Sequence, residues 1–194
     1  YFNTPNQKGL ADKIAALEGA EAAILFSSGM AAISTSLLSY LKSGDHIILQ
    51  NDLYGGTRNF IKTEFPKFGI EFSFTSGISS KDFEKEIRKN TKVIYIETPS
   101  NPKLKIIDLK SVSDLAKNNK ILTIIDNTFA SPVNQNPIEF GFDIVIHSAT
   151  KYLGGHSDIS AGTIVSSEKI IKNISGSAKN FGGNLSDYTV WLLE

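Results

Sequence analysis

Short apolar runs alternate along this chain with longer amphipathic or polar stretches, and the alternation predicts its elements. Leu10, Ile14 and Leu17 share one face of a helix over 9–18, which Gly19 ends. The apolar run at 22–26 reads as a small strand. Ser27-Ser28-Gly29-Met30 follows it and opens a helix over 31–41 rich in Ala, Ser and Leu. A Lys42-Ser43-Gly44-Asp45 turn leads to a strand at 46–49, and Leu53-Tyr54-Gly55-Gly56-Thr57 leads into a helix reaching about 64. A strand at 70–74 comes next, followed by a polar helix over 81–89 with Phe83 and Ile87 at helical spacing. The run at 93–97 is nearly all apolar, and Thr98-Pro99-Ser100-Asn101-Pro102 breaks the chain after it. Asp108 caps a helix to about 118, and 121–125 is another buried strand. Strands at 144–146 and 162–165 complete the set, and 188–194 reads as a helix with no stop signal.

Strands that are apolar on both faces and alternate with helices specify an α/β fold, a mostly parallel sheet covered by helices on both sides. Ligands of such sheets bind beyond the carboxyl ends of the strands. Ser28, Gly29, Met30, Tyr54, Asn101, Asp126, Ser148 and Lys151 follow strands and are expected to converge on one crevice there. No internal repeat, low-complexity run or linker interrupts the pattern.

The chemistry concentrates in Ser148-Ala149-Thr150-Lys151-Tyr152-Leu153-Gly154-Gly155-His156-Ser157-Asp158, which the strand at 144–146 feeds directly. A lysine at the end of a buried strand is expected in low dielectric, where its pKa falls and the amine becomes a nucleophile. Ser148 and Thr150 are placed to hold a phosphate, and an amine beside a phosphate holder suits pyridoxal 5′-phosphate. The other reading is a surface lysine after a strand. Asp126 ends an apolar strand, so its carboxylate needs a cation such as a pyridinium nitrogen; the alternative is a structural cap. Ser28-Gly29-Met30 offers the N–H groups of a helix start to a phosphate. Tyr54 could stack on a flat ring or pack in the core, and Asn101 could reach a ring oxygen or serve only its turn. His46 is read as a strand-edge histidine, His147 as packed, His156 as fixing the loop behind the lysine, and Glu97 as structural. Metal binding at Asp126 finds no second ligand nearby in sequence.

Composition narrows the classes. Twenty basic and twenty acidic residues balance over 194 residues, which gives no reason to invoke nucleic acid or an anionic membrane surface. The 41% of hydrophobic residues suffices for a substantial core, and the absence of cysteine excludes disulfides and thiolate metal sites. Neither a signal peptide nor a run of membrane-spanning length is visible, so a soluble cytoplasmic protein is expected. The start at Tyr1 and the unstopped final helix suggest a piece of a longer protein. A dinucleotide-binding oxidoreductase would need Gly-x-Gly-x-x-Gly after the first strand, and none occurs. A non-catalytic domain that keeps the fold is the other rival.

Taken together, Phe26-Ser27-Ser28-Gly29-Met30-Ala31-Ala32, Gly44-Asp45-His46-Ile47, Leu53-Tyr54-Gly55-Gly56-Thr57, Glu97-Thr98-Pro99-Ser100-Asn101-Pro102, Asp126-Asn127-Thr128-Phe129-Ala130-Ser131-Pro132 and the lysine stretch resemble the Cys/Met-metabolism, or transsulfuration, family of pyridoxal-phosphate enzymes. The resemblance covers nearly the whole chain. It implies the large domain of a fold-type I, aspartate-aminotransferase-like enzyme with a seven-stranded, mostly parallel sheet, here without the C-terminal small domain. By position it makes Lys151 the Schiff-base lysine and proton shuttle and pairs Asp126 with the pyridine nitrogen. It places Ser28, Gly29, Met30, Ser148 and Thr150 at the phosphate. Tyr54 would stack on the ring and assist proton transfer, Asn101 would contact its hydroxyl, and Thr128 would lie near it. The implied activity is β- or γ-elimination, or γ-replacement, on a sulfur-containing amino acid or acylated homoserine, with γ-chemistry preferred. The implied assembly is a homotetramer built as a dimer of dimers with shared active sites.

Three departures are visible. Tyr1 does not match the family's phosphate-binding tyrosine. The arginine for the substrate carboxylate belongs to the domain expected after Glu194. Gly56 stands where methionine γ-lyases often carry cysteine. The chain alone is therefore expected to bind the cofactor weakly and not to turn over.

Overall fold

The computed structural model describes residues 4–194. Tyr1, on which the expectation about the phosphate tyrosine falls, lies outside them.

The first helix, α1 (Pro5–Glu18), starts four residues before its periodicity suggests. Thr4 and Gln7 form a capping box, with Pro5 in the first turn, and Gly19 ends the helix at φ 68°. Strand β1 (Ala22–Phe26) and helix α2 (Gly29–Tyr40) follow, Ser28 capping α2 through the Ala31 N–H. Then come β2 (His46–Leu49), α3 (Gly55–Glu64), β3 (Glu71–Phe74) and α4 (Ser80–Glu84). The helix expected over 81–89 is only this short α4, which a Ser79–Asp82 capping box starts early and Lys85 closes. β4 (Thr91–Glu97), α5 (Leu109–Asn118), β5 (Leu122–Asp126) and the short α6 (Ser131–Asn134) precede β6 (Ile144–His147) and β7 (Gly162–Ser166). Helices α7 (Glu168–Phe181) and α8 (Asp187–Leu193) complete the chain.

The strands form one seven-stranded sheet in the order β1-β7-β6-β5-β4-β2-β3. Only β7 runs against its neighbours; the pairs from β6 through β5, β4 and β2 to β3 are all parallel. The expected fold class therefore stands. Side chains alternate between two cores. Ile94, Ile96, Ile125, Val145 and Val165 pack on one face with Leu10 and Ile14 of α1, Val112 of α5 and Val190 of α8. Val93, Tyr95, Ile124, Ile144, Ile146 and Ile164 pack on the other with Ile33 and Leu37 of α2, Ile61 of α3 and Ile174 of α7. No helix among the described residues is long and apolar enough to cross a membrane.

His46 is not at an edge: β2 lies inside the sheet. Its ring is fully buried, with the two nitrogens on the hydroxyls of Thr91 (2.8 Å) and Ser73 (3.1 Å). Burial, more than the nearby Arg88 charge, pushes its pKa down to about 4.

Candidate active site

The parallel register brings the ends of β2, β4, β5 and β6 to one edge of the sheet, where β1 also ends. A cavity of about 270 Å³ opens there. All ten site residues proposed from the sequence line it, together with Ile33, Glu97 and Phe129.

The first wall is the start of α2. Ser28 spends its side chain and carbonyl on the N–H groups of Ala31 (3.1 Å) and Ala32 (3.1 Å). The N–H groups of Gly29 and Met30 remain, at the positive end of a 12-residue helix, as a seat for an anion. This helix start can lie against the lysine stretch only because position 29 is glycine. A Cβ there would come 2.8 Å from Ser148 Cβ, and one at Gly162 would come 2.2 Å from the Ser28 carbonyl oxygen.

The second wall is the end of β6. Strand β6 stops at His147, and Lys151 sits in the turn beyond, with its N–H on the Ser148 carbonyl at 3.0 Å. The lysine is exposed, contrary to the low-dielectric setting expected of it, because the turn carries it out to the cavity rim. The Thr150 hydroxyl is committed to the backbone of Ala161, accepting its N–H at 3.0 Å and donating to its carbonyl at 3.1 Å. His156 bonds the Gly154 carbonyl at 2.9 Å, inside its own loop as expected.

The floor is acidic. Asp126 and Glu97 are directly paired across β5 and β4 and both are buried. Asp126 Oδ1 accepts the N–H of Thr128 at 3.0 Å and its hydroxyl as well. The same hydroxyl accepts the Ser148 N–H at 2.8 Å, so Thr128 ties Asp126 to the lysine stretch. Glu97 accepts the N–H groups of Tyr54 (2.8 Å) and Asn101 (2.7 Å). Burial above all, and then the charge of Asp126, raises the Glu97 pKa from 4.5 to about 8. Burial raises Asp126 too, partly offset by its bonds from Thr128. Neither carboxyl forms an ion pair among the described residues.

On the opposite face of the sheet lies a network that sequence reasoning missed. Fully buried Glu18 accepts His147 Nε2 at 2.5 Å and the Asn127 amide at 2.9 Å. Asn127 and Gln135 exchange further bonds, and Gln135 reaches the Thr98 carbonyl at 3.0 Å. His147 is packed, as expected, but it is packed against an acid 129 positions away. Only the polar last residue of α1 hinted at this.

These features test the site for pyridoxal phosphate. An unengaged helix start, an amine at the rim and a buried acidic floor without a cation match a phosphate, an aldehyde and a pyridinium nitrogen. Fold and cavity together define a fold-type I pyridoxal-phosphate domain. The family model for Cys/Met metabolism PLP-dependent enzymes matches residues 2–194, and the chain belongs to that family.

Cystathionine beta-lyase MetC of Bacillus subtilis is 46% identical over 191 residues, covering 98% of this chain and 49% of that protein. Cystathionine gamma-lyase of the same organism is 46% identical over 190 residues, 97% of this chain and 50% of that protein. The L-methionine gamma-lyase of Fusobacterium nucleatum subsp. nucleatum is 46% identical over 174 residues, 89% and 44% of the two chains. The crystal structure of metB from Corynebacterium glutamicum superposes with a TM-score of 0.95 at 38% identity, over 98% of this chain and 50% of that one. The chain thus spans about half the length of the curated relatives it matches.

Proposed function

We propose that the chain is the cofactor-binding large domain of an enzyme that eliminates or replaces a β- or γ-substituent of a sulfur-containing amino acid or an acylated homoserine. The observation that carries this reading is the buried Asp126–Glu97 floor, which has no cation of its own among the described residues and faces the cavity that Lys151 borders. Relatives named as β- and γ-lyases, equally identical to this chain, support the reaction class.

Pyridoxal phosphate, when bound, supplies an aldehyde for the substrate amine and a ring that stabilises negative charge at the substrate Cα. The chain's residues do the rest. The N–H groups of Gly29 and Met30 and the Ser148 hydroxyl would hold the phosphate, with Ser28 and Thr150 shaping the cup through the backbone bonds described above. The Asp126 carboxylate would hold the proton on the ring nitrogen, oriented by Thr128. Tyr54 would cover the ring, and the Asn101 amide would meet its hydroxyl. The Lys151 amine would anchor the cofactor and then move the Cα proton, with Tyr54 assisting the proton transfer. A small amino-acid substrate, a cytoplasmic location and a homotetrameric assembly complete the proposal; the last rests on the family resemblance.

Product analysis on cystathionine tests it. With pyridoxal phosphate, the polypeptide at its relatives' full length is expected to release 2-oxobutanoate, ammonia and cysteine if it attacks the γ-bond. Attack at the β-bond would release pyruvate, ammonia and homocysteine. Neither product, and no thiol exchange on acylated homoserines, would overturn the reading. The 194-residue chain alone is expected not to turn over.

A further inference from the structure

We propose that Glu97 is a positioning residue of this cavity, whose carboxylate holds the two loops carrying Tyr54 and Asn101. What the loops are held toward rests on the cofactor reading above; the holding rests on geometry alone.

The two loops leave neighbouring strands, β2 and β4, and each carries an N–H with no backbone acceptor among the described residues. Glu97 Oε2 takes the Tyr54 N–H at 2.8 Å, and Oε1 takes the Asn101 N–H at 2.7 Å. Both bonds become charge-assisted when Glu97 ionises, which its raised pKa places at about pH 8. Glu97 is itself 4% exposed, so water does not compete for them.

The base of the clamp is fixed as well. The Gln50 side chain pairs with the Glu97 backbone like a further strand residue. Gln50 Oε1 accepts the Glu97 N–H at 2.8 Å, and its amide donates to the carbonyls of Glu97 (2.7 Å) and Asp52 (2.7 Å). At the surface Asp52 pairs with Lys103 (3.0 Å) and Lys105 (2.5 Å), joining the same two loops again. Those lysines are exposed, and such pairs contribute little. The buried carboxylate therefore carries most of the holding.

The residue type follows from the task. Two divergent N–H donors need two acceptor oxygens on one side chain, which a carboxylate has and a glutamine lacks. The cost is a second buried carboxyl beside Asp126. A mere strand end would have no reason to bear it. With both loops held, the ring of Tyr54 and the amide of Asn101 are presented to the cavity before any ligand arrives.

Hydrogen exchange on the protein without cofactor, at a pH above about 8 where Glu97 is ionised, tests the clamp. In the wild type the amides of Tyr54 and Asn101 should be protected. In Glu97→Gln one acceptor is replaced by a donor, and exchange at one or both amides should quicken by about tenfold or more. The β-sheet amides of Ile94 and Ile125 should be unchanged. Glu97→Asp, one methylene shorter, should release at least one amide and serves if the glutamine variant does not fold. After loading, the visible circular dichroism of pyridoxal phosphate should weaken in either variant, because its ring is less firmly seated. Unprotected amides in the wild type, or unchanged exchange in a folded variant, would overturn the clamp. A wild type that takes up no pyridoxal phosphate at Lys151 would overturn the cofactor reading and leave the exchange result standing.

Discussion

The carboxyl edge of the sheet buries acid on both faces, and the two faces treat it in opposite ways. Beneath, Glu18 is bound to His147 and Asn127, and the chain of bonds continues through Gln135 to Thr98. Above, Glu97 and Asp126 sit side by side with a cavity in front of them. A buried carboxyl is tolerated when the protein supplies a partner. On the lower face the partner is another side chain, and the group ties α1 to the ends of β5 and β6. On the upper face the protein supplies only hydrogen-bond donors, Tyr54 and Asn101 to Glu97 and Thr128 to Asp126, and a cationic partner is left to a ligand. The difference separates the polar groups that keep the fold from those that keep a place for the cofactor.

The largest expected effect comes from breaking the lower face. His147→Ala leaves the Glu18 carboxyl buried with only Asn127, and should cost about 3–5 kcal/mol of stability. Denaturant unfolding measures this, with the same loss whether or not pyridoxal phosphate is added. Asp126→Asn breaks the upper face and should do the reverse. It should leave stability without cofactor nearly intact and lower turnover of the full-length enzyme by about 10²–10³-fold, the usual cost of a lost electrostatic partner. Steady-state kinetics beside a melting curve separates the two behaviours.

Gly29→Ala should cost about 1–3 kcal/mol, because its Cβ would sit 2.8 Å from Ser148 Cβ and force the start of α2 away from the lysine stretch. Phosphate-dependent affinity should fall with it, which a titration with pyridoxal phosphate against pyridoxal would show.

A test that needs no substitution is pH. Glu97 has its pKa raised from 4.5 to about 8, so the folded protein without cofactor binds more protons than the unfolded chain between those values. Stability should therefore be full below about 4.5, fall as pH rises toward about 8, and lose at most about 1.4 kcal/mol per pH unit to this group. Asp126→Asn should make the slope shallower without removing it, since burial is the larger cause and the Asp126 charge the second. Melting curves from pH 5 to 9 would check the sign.

Much of the upper face was legible in the sequence. Asp126 and Lys151 each follow an apolar strand, and a parallel sheet must bring such ends together. The roles of the cavity residues came from the motif set and not from periodicity. The lower face was illegible, because nothing local couples Glu18 to His147, 129 positions further along the chain. Glu97 was read as structural, since a strand's last residue does not reveal which backbone groups will approach it. Helix α7 went unseen beside the louder lysine stretch, although Ser167 caps it and Ile170, Ile174 and Ala178 repeat at helical spacing. The exposure of Lys151 was missed because the strand's apolar run did not show that the chain turns outward before reaching it.

The central claim is that this edge of the sheet seats pyridoxal phosphate with its aldehyde at Lys151. Borohydride reduction of the protein incubated with pyridoxal phosphate, followed by peptide mass mapping, tests that most directly. The account predicts a pyridoxyl adduct confined to Lys151 and lost in Lys151→Ala. Adducts scattered over the surface lysines, or none on the folded full-length protein, would contradict it.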